Sequence, residues 1–332
     1  MRKTIVAVLC VLLLTAGLFA EGRQEGAAET YKITAGLGLN DKSAAYEAMV
    51  YFKELVEEGS DGRIVMEIYH SSQLGDDREM MEALQRGEQE MTVPSTAPIV
   101  PFVPEFGVFD LPFLFPKHED ADRVLDGEIG QRILDKLSDV GLKGLVYWEN
   151  GYRNLTNSVR EVRTPADVKG MKVRTMENPM HLDAWRTMGA NPTPMAFGEL
   201  FSAMQQGVVD GQENPWGTIY LQNFHEVQTF ASDTGHVYSP FVLMISQKYW
   251  DNLPADLQKV VMDAAVKSRD KNRELNRKYN KEYMSKLKEV MTVSELTLEE
   301  KAQFQTAVQS VYDQYADAIG RGLINEVMEE LK

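Results

Sequence analysis

Cysteine is all but missing from this 332-residue chain. The single one, Cys10, sits inside an apolar run near the start. If that run is removed as a leader, no thiol nucleophile, disulfide, CxxC redox pair or cysteine-ligated zinc is left. Histidine is scarce as well. His70, His118, His181, His225 and His236 are scattered, and none falls in HExxH or another metal-ligand spacing. GLGLND at 36–41 lacks the third glycine of a dinucleotide loop. There is no Walker A sequence and no GxSxG elbow. Neither a placed base nor a metal set emerges, so no catalytic residues, no cofactor and no metal are expected.

Positive charge is in short supply. Lys and Arg total 35 against 50 Asp and Glu, a net charge of −15. That balance argues against nucleic acid and anionic membrane surfaces as partners. It also gives weight to any local positive spot, because an anionic ligand needs a focused site on a repelling molecule. Long apolar stretches are absent after the first twenty residues. Those residues read MRK, then IVAVLCVLLL, then TAGLFA, with Ala20 before a polar Glu21. This is the layout of a signal peptide over 1–20, too short for a membrane span, which needs about 20 apolar residues. EGRQEGAAE follows as a small, polar, flexible leader over 21–30. The expectation is an exported, periplasmic protein held together by its core.

What is there begins with alternating strands and helices. YKITAGLGLN reads as a strand, 44–56 as a helix, RIVMEIYH as a strand, DDREMMEALQRGE as a short helix and EMTVPST as a strand. This order predicts an α/β layer with a parallel sheet. Prolines recur through 94–116 and predict an irregular apolar segment. Helical spacing returns at 119–139, 180–189 and 197–206, and strands are read at 142–150, GMKVRTM and HVYSPFVLMIS. Over 254–290 apolar residues recur every three or four positions, with no glycine or proline after Pro254. A helix of about 35 residues is about 50 Å long, enough to run along two domains. Two terminal helices are read at 299–315 and 323–331.

The chemistry concentrates in 148–216. Arg153 and Arg174 each follow a strand-like segment, with Trp148, Phe197, Trp216 and the amide of Asn214 around them. Ligands of open α/β sheets bind at strand carboxyl ends, and a guanidinium fork matches a carboxylate. Such a set suits a small organic acid. A plainer reading stays open at each position. Arg174 pairs with Glu177, Phe197 and the tryptophans are packing residues, and Asn214 shapes the turn before Pro215.

The block KGMKVR…GANPTPMAFGELFSAMQQGVVDGQENP closely resembles the substrate-binding proteins of tripartite ATP-independent periplasmic (TRAP) transporters, the DctP family. YHSSQLGDDREMMEALQRGEQEM, STAP and HVYSPFVLMIS resemble it too, and the likeness covers nearly all of 31–332. It implies an α/β, two-domain periplasmic solute-binding protein with a hinged cleft and a long helix spanning both domains. The chain then divides into 31–151 plus 239–279, and 152–238 plus 280–332. It implies a carboxylate clamp at Arg174, a second arginine at Arg153, the amide of Asn214 and the ring of Phe197. From the other domain it implies Gln73, Asp77, Ser95 and Thr96, with Asn40 brought in on closure. Partners are then a small organic acid and TRAP membrane permease subunits, the binding protein itself being a monomer.

A sugar acid, hexuronate or aldonate, is the favoured ligand. Glu149, Glu177 and Glu213 would accept hydroxyls and repel a second negative charge, and Trp148 and Trp216 would cover a sugar face. TMENPMHLDAW and TGHVYSP look more like the family's uronate-type binders. A C4-dicarboxylate, a ligand-sensing role and a periplasmic isomerase or lyase are the alternatives.

Overall fold

A computed structural model describes residues 30–332. The expected signal peptide, and nearly all of the flexible leader, lie outside the described residues. Among the described residues nine strands form one sheet: β1 Tyr31–Gly36, β2 Ile64–Tyr69, β3 Met91–Thr92, β4 Leu142–Asn157, β5 Lys172–Thr175, β6 Asn191–Pro194, β7 Gly211–Asn214, β8 Phe230–Ser246 and β9 Thr292–Ser294. Their order is β2-β1-β3-β8-β4-β7-β5-β6, with β9 beside β8.

The expected parallel pairing holds only on the flanks. β1 runs parallel to β2 and β3, and β5 runs parallel to β6 and β7. The centre is antiparallel, because β4 and β8 pair with each other along nearly their whole lengths, from Leu142 opposite Ser246 to Asn157 opposite Phe230. The sheet is therefore mixed. β4 is longer than the 142–150 read from sequence. Its register shifts between Glu149 and Gly151, and Gly151 has a φ of 114°, a conformation that side chains with a Cβ rarely adopt. That irregularity breaks the apolar alternation without ending the strand.

Helix Ala255–Val290 has 36 residues, about 54 Å at 1.5 Å each. Its buried side chains change character along its length. Leu257, Val261, Ala264 and Ala265 join a core with Ile33, Phe52, Ile64 and Leu243. Leu287 joins a second core with Leu200, Trp216 and Ile219. Between them the buried residues are mostly polar, Ser268, Asn272, Arg273 and Asn276, with Leu275 among them. Asn272 Oδ1 accepts the Glu149 N–H at 2.6 Å, and Asn276 Nδ2 donates to the Glu149 carbonyl at 2.7 Å. Two amides four residues apart share one helix face, so they bracket one residue of β4 where its register shifts.

The proline-dense segment forms two short 3-10 turns, Ala97–Ile99 and Pro104–Asp110. It anchors the largest core, with Phe106, Phe109, Trp185, Val311 and Ile319. The helix expected over 299–315 is split into Leu298–Ala307 and Ser310–Ile319. The break lets both Val308 and Val311 reach that core. The last helix, Arg321–Glu330, pairs Glu326 with Arg132 at 2.6 Å.

Replacing Asn272 by Ala should strand the buried Glu149 N–H and cost about 1–3 kcal/mol. Urea unfolding measures it, and an unchanged midpoint would show that the bracket contributes nothing to stability.

Candidate functional site

The strands of both flanks end on one cavity of about 680 Å³, part of it open to solvent. One wall carries Arg153, Arg174, Glu177, Phe197 and Asn214, and the facing wall carries Gly38, Asp77, Ser95, Asn150 and Phe241.

Arg174 is the third residue of β5, opposite Thr193 of β6 and Gln212 of β7. Flanked by a strand on each side, it is buried to 2 % exposure. Its Nε and Nη2 donate to the Met195 carbonyl at 2.9 and 2.6 Å. Its Nη1 is buried without a protein partner. The plainer reading, a pair with Glu177, is not formed. Glu177 stays exposed and acts on Arg174 only at a distance. Burial and then the neighbouring charge of Arg153 pull the Arg174 guanidinium down to about 10, against Glu213, Asp77 and Glu177. It remains a cation at neutral pH.

Arg153 is equally buried but differently engaged. Its Nε and Nη2 grip the Glu213 carboxylate, Nη2 to Oε1 at 3.0 Å, and Nη2 also reaches the Glu213 carbonyl at 2.5 Å. Its Nη1 too is buried and unpartnered. Burial works to raise the Glu213 carboxyl, yet the Arg153 charge and the His236 hydrogen bond at 3.2 Å hold it far below the usual carboxylate range. His236 is fixed in turn by a 2.7 Å bond shared with the Thr234 hydroxyl.

The charge count of the cavity follows. Arg153 is neutralised by Glu213. Arg174 meets only a carbonyl, with no carboxylate at ion-pair distance among the described residues. Asn214 sits at the end of β7 and donates to Gln212 Oε1 at 2.5 Å, and Gln212 donates to Thr156 Oγ1 at 2.9 Å. Phe197 is half-buried, its ring 6.2 Å from that of Phe224.

Seven of the residues singled out from sequence therefore share this cavity: Arg153, Arg174, Asn214, Phe197, Glu177, Asp77 and Ser95. Six do not line it. Trp148 is wholly enclosed in the core beside Leu243 and cannot cover a ligand face. Glu149 turns away to Arg277 at 2.9 Å, Tyr238 at 3.2 Å and His118 at 3.3 Å. Trp216 packs on Leu200 and Ile219 and borders a separate groove with Tyr152 and Arg277. Gln73 is exposed beyond the rim, and Thr96 is buried behind Ser95. Asn40 instead donates across the cleft to the Leu221 carbonyl at 2.8 Å. Sequence reading also missed Asn150, whose Nδ2 reaches Ser95 Oγ at 3.4 Å. Its signal was a polar residue beside the glycine that disturbs β4.

No cluster of three or more His, Cys, Asp or Glu could hold a metal ion among the described residues. Among them, no helix is long and apolar enough to cross a membrane.

Glu213→Gln should cost about 3–5 kcal/mol at neutral pH, the usual penalty for uncovering a buried charge. A carboxylate held low in the native state stabilises fully above its unfolded value of about 4.3 and loses that contribution as pH falls below it. Urea titrations at neutral and at acid pH should therefore show the gap between wild type and variant narrowing as the solution is acidified. A gap that widens would contradict the ionised pair.

Comparison with known proteins places this architecture. The model of bacterial extracellular solute-binding proteins, family 7 (DctP), matches residues 36–318. The C4-dicarboxylate-binding periplasmic protein DctP of Rhodobacter capsulatus is 35% identical over 279 residues, 83% of this chain and 84% of that protein. Among solved structures, the sugar acid binding protein DctPAm of Advenella mimigardefordensis, in complex with galactonate, superposes with a TM-score of 0.89. It is 40% identical, covering 91% of this chain and 98% of that one. A TRAP periplasmic solute-binding protein of a Polaromonas species, bound to D-erythronate, gives a TM-score of 0.87 at 40% identity, over 90% and 98%. With its two flanks of parallel strands, its long straddling helix and its buried arginine wall, this chain belongs to the bacterial extracellular solute-binding protein family 7, the DctP family of TRAP transporters.

Proposed function

We propose that this protein captures a small monocarboxylate, a sugar acid of the aldonate or hexuronate type, and delivers it to TRAP membrane subunits. One observation carries the reading. Three guanidinium groups line the cavity; Arg78 is paired with Glu82 and Arg153 with Glu213, which leaves one positive charge, that of Arg174, without a carboxylate at ion-pair distance among the described residues. One carboxylate balances it. A second would find Arg153 already taken by Glu213, with Asp77 and Glu177 nearby. The galactonate and D-erythronate of the two structural neighbours are acids of that charge. A C4-dicarboxylate is the second reading, favoured by the name of the Rhodobacter relative.

The mechanism we infer is capture by hinge closure. The ligand carboxylate takes the free Nη1 positions of Arg174 and Arg153, with Asn214 beside them. The lobes 31–151 plus 239–279 and 152–238 plus 280–332 then close, and Ser95, Asn150 and Asp77 complete the enclosure. A ligand favours the closed state only through contacts that state alone provides. Swinging a 1:99 population to 99:1 takes about 5.5 kcal/mol. Two or three charge-assisted bonds of about 1.5–3 kcal/mol each reach it. Binding without turnover, removal of residues 1–20 on export to the periplasm and a monomeric state complete the proposal.

Calorimetry with galactonate tests it. Arg174→Ala should weaken binding by at least about tenfold, the loss of one charge-assisted bond. Arg174→Lys should also weaken it, since lysine lacks the planar fork. Undiminished binding by the alanine variant would refute the clamp. A thermal-shift series of glucuronate, galacturonate, galactonate, succinate and malate tests the ligand class, because a bound ligand raises the midpoint by mass action. A rise with succinate or malate alone would favour the second reading.

A further inference from the structure

Asn40 does not line the cavity. Its side chain crosses from one proposed lobe to the other, where Nδ2 donates to the Leu221 carbonyl at 2.8 Å. Leu221 and the neighbour of Asn40, Leu39, line a second, smaller gap of about 360 Å³, part of it open to solvent. Leu39, Ala45, Asn150 and Phe241 border both spaces. The bond therefore stands at the flank of the cargo cavity.

Both partners are fixed before they meet. Asn40 Oδ1 accepts the Lys42 N–H at 3.1 Å, and the Asn40 carbonyl accepts the Ser43 N–H at 3.1 Å and the Ser43 hydroxyl at 2.8 Å. Ser43 in turn caps helix Ala44–Gly59 by accepting the Tyr46 N–H at 3.1 Å. An asparagine whose oxygen is taken by its own turn has only its amide hydrogens left to give. On the other side, Leu221 ends helix Trp216–Leu221, and the last carbonyls of a helix have no partner within it. The Leu221 carbonyl takes no other donor among the described residues. Each helix is also tied to the long one. Glu47 accepts the Tyr279 hydroxyl at 2.6 Å, and Asn280 Oδ1 accepts the Gly217 N–H at 3.0 Å. Tyr279 and Asn280 are consecutive, on the two sides of the lobe boundary proposed above. Each partner is thus mounted on its own lobe, and the bond forms only when the lobes stand close.

We infer that Asn40 is a latch: it sets how tightly cargo is held by joining the two lobes directly, without touching the cargo. The latch rests on the hinge closure proposed above. A contact present only in the closed state favours that state whatever lies in the cavity. It therefore strengthens every acid by the same factor, whereas a cargo contact discriminates between acids. Its loss acts on release, because the open protein that meets the ligand has no latch to lose.

The experiment is calorimetry and stopped-flow binding of galactonate, D-erythronate and succinate to wild type, Asn40→Ala and Asn40→Ser. Neither change alters charge. Serine keeps an oxygen for the Lys42 N–H but is too short to reach Leu221. Both variants should bind about three- to tenfold more weakly, the usual contribution of one hydrogen bond. The factor should be the same for each acid that wild type binds, and it should lie in faster release with on-rates unchanged. Undiminished binding by both variants overturns the latch. So does a loss confined to Asn40→Ala, which traces to the turn, or a loss that differs between acids, which puts Asn40 on the cargo. An Arg174→Ala protein that binds galactonate undiminished, beside Asn40 variants that lose affinity, overturns the clamp and leaves the latch standing. A wild type that binds none of the three overturns the reading of the cargo and the latch with it.

Discussion

Two guanidinium groups buried against one small cavity repel each other, and much of the surrounding structure answers that repulsion. Arg153 is neutralised on the spot by Glu213, which His236 and Thr234 hold in place from behind. Arg174 is held by a backbone carbonyl, which fixes its plane without cancelling its charge. The pair is asymmetric as a result. One arginine presents hydrogen-bond geometry with little net field, and the other presents geometry with its charge intact. On a chain of net charge −15, such a point is where a small anion is drawn once it has come close. The fold limits screening of that charge by water by burying it on a strand flanked on both sides, by β6 and β7.

The same sheet carries the relation between the lobes. β4 and β8 cross from one flank to the other, and the long helix crosses beside them. Apolar packing anchors the helix at its two ends, in two separate cores. At the crossing the contacts are polar, between Asn272, Asn276 and the backbone of Glu149. Apolar cores are close-packed and respond poorly to distortion. In the hinge closure proposed above, these few directional bonds serve as the pivot between the two packed ends.

Much of this was legible in the sequence, for identifiable reasons. The long helix shows as an unbroken period. Arg174 shows as a cation at the carboxyl end of a strand in an acidic chain. The short helix at 77–86 shows through its cap Asp76 and its terminal Gly87, which takes a φ of 76°. What stayed hidden depends on which way a side chain turns, or on partners far along the chain. Trp148 and Asn150 stand two apart on β4, yet one is sealed in a core and the other lines the cavity. The register shift at 149–151 separates their fates, and no residue pattern announces it. Glu149 looked like a ligand contact because it neighbours Trp148. Its partners on the long helix, Asn272, Asn276 and Arg277, lie more than a hundred residues away. The pairing of Arg153 with Glu213 is hidden in the same way, since an acidic chain offers too many candidate partners.

The continuity of β4 and β8 through both lobes has a mechanical consequence. A hydrogen-bonded ribbon flexes readily across its width but resists sliding along its length, because sliding breaks every rung at once. The two halves are thereby restricted to something close to a single angle, like covers on a spine. On the closure proposed above, a membrane partner need only sense that angle to tell a loaded protein from an empty one, whatever cargo set it.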